Sequence, residues 1–174
     1  MLIKVISGGQ TGADQAGLAA AKKFSIPTGG FAPKGYQTSQ GKNRTLLQKV
    51  YDLTESKGGY KQRTWENAKI ADGTIRLAVD FSTRGEICTL NGINKYNKPH
   101  KDFNLQDLDE FESIMVEDCN TWLIENKIKI LNVAGNTQNT LGFDIYTMAY
   151  EFLCKVFEKH LIKFYGDFRK MAGL

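Results

Sequence analysis

Leu2-Ile3-Lys4-Val5-Ile6-Ser7-Gly8-Gly9-Gln10-Thr11-Gly12-Ala13-Asp14-Gln15-Ala16-Gly17-Leu18 is the stretch that decides the fold. A short apolar run breaks at two glycines and resumes with small residues, Ala16, Gly17, Ala19, Ala20 and Ala21. The pattern predicts strand, tight turn, helix. Glycines reach positive φ and let backbone come close to a ligand. The helix start that follows offers free N–H groups and a partial positive charge. Gln10 and Thr11 can add side-chain hydrogen bonds. The turn has the parts of a phosphate- or nucleotide-cradling loop. It is neither G-x-G-x-x-G nor a P-loop, because no Lys-Ser/Thr follows the glycines. The spacing alone suits equally a turn that only packs helix on strand.

Working outward, the same logic returns twice. Thr74 to Asp80 is a strand, read as central, and Phe81-Ser82-Thr83-Arg84-Gly85-Glu86 is a polar loop meeting a helix start. Lys129 to Gly135 is the last strand, and Asn136 to Leu141 leads to another helix start near Gly142. The remaining segments fill the order. Ile26 to Phe31 and Val50 to Thr54 read as short strands, and Tyr60 to Ala71 and Ile87 to Tyr96 as helices. His100 to Leu105 is a short strand, Leu108 to Asn126 an amphipathic helix, and Phe143 to Ile162 a helix with a wide apolar stripe. Alternating strands and helices predict an α/β fold, a three-layer Rossmann-like arrangement with a mostly parallel sheet flanked by helices. Handed crossovers place the glycine loops on one edge of that sheet. Ligands of such sheets sit beyond the carboxyl ends of strands where the order reverses.

Ala32 to Lys49 lacks periodicity and reads as a long loop, of the length that is usually functional or mobile. Lys34 and Arg44 make it basic, and it either folds over an anionic ligand or is a solvated insertion, the latter favoured for Gln37 to Asn43. Tyr60, Arg63 and Asn67 share one helical face. That face can stack a base, bind a phosphate and read a polar edge, or it is an exposed face with Arg63 paired to a carboxylate such as Glu66.

A chain of 174 residues predicts a single domain with a core that needs no staples. A net charge of +4 suits an anionic small-molecule ligand without demanding nucleic acid. Cys88, Cys119 and Cys154 are far apart, so neither a metal-spaced cluster nor a disulfide framework is expected. A reduced, cytoplasmic setting follows, with no membrane segment.

Gly8-Gly9-Gln10-Thr11-Gly12-Ala13-Asp14-Gln15-Ala16-Gly17-Leu18 resembles the opening motif of the molybdenum-cofactor carrier family, the circularly permuted YpsA-related branch of the SLOG superfamily. Pro27-Thr28-Gly29-Gly30, Pro33-Lys34-Gly35, Arg63-Thr64 with Asn67 and Asp72-Gly73-Thr74, and Asn132-Val133-Ala134-Gly135 agree in order. The match runs to about Tyr150, leaving the last helix and the tail to 174 partly outside it. The resemblance implies a SLOG fold and, together with the strand-end loops, makes several residues site candidates: Gly8, Gly9, Gln10, Thr11, Gly12 and Asp14; Lys34 and Gly35; Tyr60, Arg63, Thr64 and Asn67; and, from the loops, Thr83, Arg84, Gly85 and Glu86, with Asn132, Gly135 and Asn136. It implies molybdenum cofactor or a nucleotide as ligand; Asp14, on its chemistry alone, can cap the helix, bind a ribose hydroxyl or hold a Mg²⁺ that accompanies phosphate. It also implies a homo-oligomer, dimer or tetramer, in which the last helix's stripe shares in the contact.

One departure stands out. The family has paired glycines followed by Thr where this chain has Arg84-Gly85-Glu86. The related LOG phosphoribohydrolases use an Arg and a Glu for N-glycosidic cleavage, which makes Arg84 and Glu86 the catalytic candidates if the protein is an enzyme. Glu86 is equally read as a helix-start carboxylate. No G-x-S-x-G elbow and no two-His motif is present, and His100 and His160 read as surface or structural. The inventory favours binding of a phosphorylated nucleotide-like or pterin-phosphate ligand without turnover, as carrier, sensor or sponge. The alternatives are LOG-type cleavage of a nucleoside monophosphate and an oligomeric scaffold with no small ligand.

Overall fold

The structure is a computed structural model describing residues 1–171, with side chains to residue 164. Its elements in chain order are β1 (Lys4–Ser7), α1 (Ala13–Lys23), β2 (Thr28–Gly29), β3 (Phe31–Ala32), β4 (Gln37–Thr38), β5 (Gly41–Lys42), β6 (Thr54–Glu55), α2 (Tyr60–Ile70), β7 (Gly73–Ala78), α3 (Arg84–Lys95), β8 (His100–Asn104), α4 (Leu108–Glu125), β9 (Ile130–Gly135) and α5 (Ile145–Met171). A five-stranded sheet of order β2-β1-β9-β7-β8, parallel throughout, forms the centre. The strand alternation sorts its two faces. Leu131, Val133, Ile75 and Leu77 join the core shared by α1, α4 and α5. The intervening Asn132, Thr74 and Arg76 point the other way, toward α2 and α3. This is the α/β three-layer Rossmann-like fold that the strand–helix order implies.

The order of strands places the cleft. From β1 the chain moves outward to β2, and from β7 it moves outward to β8 on the opposite side. Strand β9 returns between β1 and β7. The loops after β1, β9 and β7 therefore lie side by side at the carboxyl edge, at a switch point of the sheet. The centre is β9, and β7, read as central from sequence, is its neighbour, buried at every residue.

Three expectations are corrected. Ile26 to Phe31 is two strands, because Gly30 at φ 112° turns the chain out of the main sheet. Its second half, β3, pairs instead with β6. Ala32 to Lys49 is not a structureless loop. It holds a 3-10 turn at Lys34–Tyr36, the β4–β5 hairpin and a π-helix at Thr45–Val50. The strand expected at Val50 to Thr54 is replaced by the end of that helix, and only Thr54–Glu55 is extended. Tyr36, Leu47, Tyr51 and Leu53 pack with Leu18 of α1 into a second small core that holds this region down.

In α4, Phe111 and Ile114 are exposed, at 42% and 65%, although their spacing suggested core. Met115, Val116, Cys119, Trp122 and Leu123 are the buried stripe. Helix α5 runs on to Met171, beyond the expected end at Ile162; of the tail, residues 172–174 lie outside the described residues. Of its stripe, Ile145, Ala149, Phe152, Leu153, Val156 and Phe157 are buried in the core, and Tyr146 is half-buried against it. His160 on α5 is structural: its Nε2 accepts from the Leu2 amide at 3.2 Å, so its Nδ1 donates to Asn120 Oδ1 at 3.2 Å. Among the described residues no helix is long and apolar enough to cross a membrane.

Candidate functional site

A cleft of about 420 Å³ opens at the switch point. Gln10 and Asp14 line it from the first loop and α1, Tyr60, Arg63 and Thr64 from α2, Arg84, Gly85 and Glu86 from α3, and Gly135 from the end of β9. The floor has more apolar than polar surface, with Ala134 and Gly135 at its base.

Arg63 anchors the first wall. It is 9% exposed, and its Nη1 lies 3.2 Å from Asp14 Oδ2. The carboxylate partner is thus Asp14 and not Glu66. Asp14 also accepts from the Gln10 amide at 3.1 Å. Burial pushes the Asp14 carboxyl above its ordinary value, opposed by the Arg63 charge and the Gln10 amide. Both contacts fall on the same oxygen, Oδ2, of a carboxylate that lines the cleft. Arg63 keeps one donor, Nε, buried and without a partner. The guanidinium lies where a side chain on Gly8 would begin, so Gly8 serves this ion pair.

The first glycine loop is less open to a ligand than its sequence suggests. The Thr11 amide is taken by Gln10 Oε1 at 3.0 Å, and the Ala13 amide by the Asn136 carbonyl at 3.1 Å. The tip of the β4–β5 hairpin packs on two of its side chains: Ser39 N donates to Gln10 Oε1 at 2.7 Å, and Ser39 Oγ meets Thr11 Oγ1 at 2.5 Å. Gly9, at φ 72°, faces Leu47 and Leu53, and Gly12 begins α1. The segment Ala32 to Lys49 therefore docks on the glycine loop.

The start of α3 has the free backbone donors. Thr83 caps it, accepting the Glu86 amide on Oγ1 at 3.3 Å. The amides of Arg84 and Gly85 find no partner among the described residues, and both residues are exposed at the cleft. A helix of 12 residues starting here turns its positive end to the cleft.

Glu86 pairs with Arg76, not with Arg84. Arg76 Nη1 stands 3.7 Å from Glu86 Oε2, and Arg84 is exposed. Glu86 is 2% exposed. Burial pushes its carboxyl up to about 7, with Arg76 pulling the other way.

Several sequence candidates support the cleft from behind. Asn136 receives the Val79 and Asp80 amides on Oδ1, each at 2.9 Å, and donates to the Asp80 carbonyl at 2.9 Å, fixing the β7 loop. Asn67 holds Phe31 through its N–H and its carbonyl, at 2.8 and 3.0 Å. Asn132 donates to Thr74 Oγ1 at 3.2 Å inside the sheet. Lys34 and Gly35 do not reach the cleft; the Gly35 amide meets Glu55 Oε1 at 2.5 Å on the far side. Tyr60 is 45% exposed at the rim.

Sequence reasoning missed Lys61, Cys88, Thr89 and Thr137 on the walls, and Arg76 behind them. The signals existed. Cys88 and Thr89 follow Gly85 at helical spacing, and Arg76 is the one charged residue in an otherwise uncharged strand.

The comparisons bear on the family and the fold. The model of the circularly permutated YpsA SLOG family matches residues 5–157. A crystal structure of a protein named "Putative molybdenum carrier protein", from Syntrophus aciditrophicus SB, is similar at 32% identity and a TM-score of 0.78, covering 90% of this chain and 94% of that one. No curated protein matches the chain. The chain belongs to the circularly permutated YpsA SLOG family.

Proposed function

We propose that this SLOG-family protein binds a phosphorylated, nucleotide-like or pterin-phosphate small molecule in the cleft and holds it without turnover. The observation that carries this is the convergence of unfilled donors. Among the described residues the Arg84 and Gly85 amides lack partners at the cleft, and so does the enclosed Nε of Arg63, a residue that lines the same cleft. Donors so placed suit an anion with several oxygens, and each hydrogen bond to a charged group is worth roughly 1.5–3 kcal/mol. Lys61 and Arg84 add charge at the rim, and the apolar floor with Tyr60 suits a planar ring. The similar Syntrophus protein is named a molybdenum carrier, which supports molybdenum cofactor as one such ligand. Its phosphate would be held by the α3 amides and Arg63, its pterin by the floor.

Glu86 supports a second reading, N-glycosidic cleavage of a nucleoside monophosphate. An acid of about 7 lining a cleft is suited to proton transfer near neutral pH. Its burial against Arg76, which stands behind it, favours a role without proton transfer. Calorimetric titration with a nucleoside monophosphate, followed by chromatography of the mixture, separates the readings. Saturable binding with the nucleotide recovered intact is expected. Release of free base overturns holding without turnover in favour of cleavage.

A further inference from the structure

Buried charges around the cleft pair off and leave one carboxyl over. Arg76 Nε donates to Asp102 Oδ1 at 2.8 Å, and its Nη2 pairs with Asp102 Oδ2. Arg76 Nη1 donates to the Glu86 backbone carbonyl at 3.3 Å and stands 3.7 Å from Glu86 Oε2, beyond hydrogen-bond length. Across the cleft Arg63 is taken by Asp14. Each buried arginine therefore gives its side-chain hydrogen bonds or closest ion pair to its own aspartate, and Glu86 feels the Arg76 charge at 3.7 Å without a hydrogen bond to its carboxyl. Its Oε2 is enclosed with no hydrogen-bond partner. An ionised carboxylate there costs a great deal. A neutral carboxyl costs less and supplies an O–H donor that a carboxylate lacks. Glu86 lines the cleft in the same turn of helix as the free Arg84 and Gly85 amides.

We propose that Glu86 carries a proton in the free protein and donates a hydrogen bond to an oxygen of the bound anion, making it a specificity-determining residue of the cleft. The proposal rests on the anion-binding reading above. Arg76 and Asp102 face Glu86 from the sheet, Asp14 and Arg63 from the opposite wall, Asp80 from the β7 loop, and Arg84 and Lys61 from the rim. Burial raises the Glu86 acid to about 7; Arg76 opposes this, while Asp14, Asp102 and Asp80 reinforce it. The protonated fraction then falls from about nine-tenths at pH 6 to about one-tenth at pH 8, and apparent affinity falls about tenfold with it.

Sulfate, which does not titrate in this range, is the probe, added to the full chain in a calorimeter at pH 6 and pH 8. The wild type should bind about tenfold more weakly at pH 8. Glu86→Gln, whose amide donates at every pH, should bind equally at the two. Carboxyl ¹³C NMR of the free protein reads the proton without any ligand. The Glu86 signal should titrate near neutral pH, and at lower pH in Asp102→Asn, where Arg76 is released to Glu86. Wild-type affinity that is the same at both pH values overturns the proposal and leaves anion binding intact. A Glu86 signal titrating near the ordinary glutamate value overturns it without reference to any ligand. Absence of sulfate binding at both pH values, with Glu86 titrating near neutral, overturns the donor role through the anion-binding reading.

Discussion

The Arg63 guanidinium occupies the space a side chain on Gly8 would need: a Cβ there would lie 1.6 Å from Arg63 Nη1. The second glycine of the opening motif has a different task, since Gly9 holds φ 72° against Leu47 and Leu53. The paired glycines thus admit an arginine and shape a turn. Neither leaves its place to a ligand.

Gly8→Ala is expected to displace Arg63 from Asp14 and so to weaken anion binding and stability together. Breaking a buried pair costs about 3–5 kcal/mol when the remaining charge stays ionised. Arg63→Ala should show the larger loss, reduced at acid pH where Asp14 can take up a proton. Denaturant unfolding of Arg63→Ala and of Arg63→Ala/Asp14→Asn checks this. The double variant should recover part of the loss, and no recovery would show that the pair is not what the single change breaks.

Gly9→Val should lose the fold as well as any ligand. A Cβ here would come within 2.8 Å of Leu47 and Leu53, at a φ that a β-branched residue resists. A thermal melt near that of the wild type would contradict this packing.

Glu86 makes stability fall on the alkaline side. Its folded-state acid of about 7 lies above the ordinary glutamate value, so the folded protein holds a proton that the unfolded chain has released. This contribution is full below pH 4.5 and is lost as pH rises through about 7. Glu86→Gln should match the wild type near pH 4.5 and exceed it at pH 8, by on the order of 2–3 kcal/mol. Parallel stability–pH curves for the two proteins would refute the assignment.

His160 acts in the opposite sense. Burial and the nearby amino terminus lower it to about 4, and its Nε2 must stay unprotonated to accept the Leu2 amide. Its contribution is present above pH 6.5 and is lost as pH falls through about 4. His160→Gln should flatten the acid limb of an unfolding-midpoint profile; an unchanged limb would place the acid sensitivity elsewhere.

The regular part of the fold was legible because its signals are local. Thr74 to Ala78 alternates, Ile130 to Gly135 is an apolar run broken only by Asn132, and the helix starts at Ala13 and Arg84 follow glycine or a capping threonine. The region from Gly30 to Glu55 was not legible. Its form comes from contacts distant in sequence, Tyr36, Leu47 and Leu53 on Leu18, and Ser39 on Gln10 and Thr11. The site was legible in outline. Arg63, Thr64, Arg84, Gly85 and Glu86 share one cleft. What sequence could not show is which partner each charge takes. Arg63 reaches Asp14 across 49 positions of chain, and Glu86 meets an arginine projecting from the sheet.

Native mass spectrometry of gently purified wild type and Arg63→Ala tests the central claim most directly. A phosphorylated heterocycle bound to the wild type, released intact on denaturation and depleted in Arg63→Ala, is the predicted result. An empty wild-type protein that also fails to take up added nucleoside monophosphate or phosphorylated pterin would contradict it.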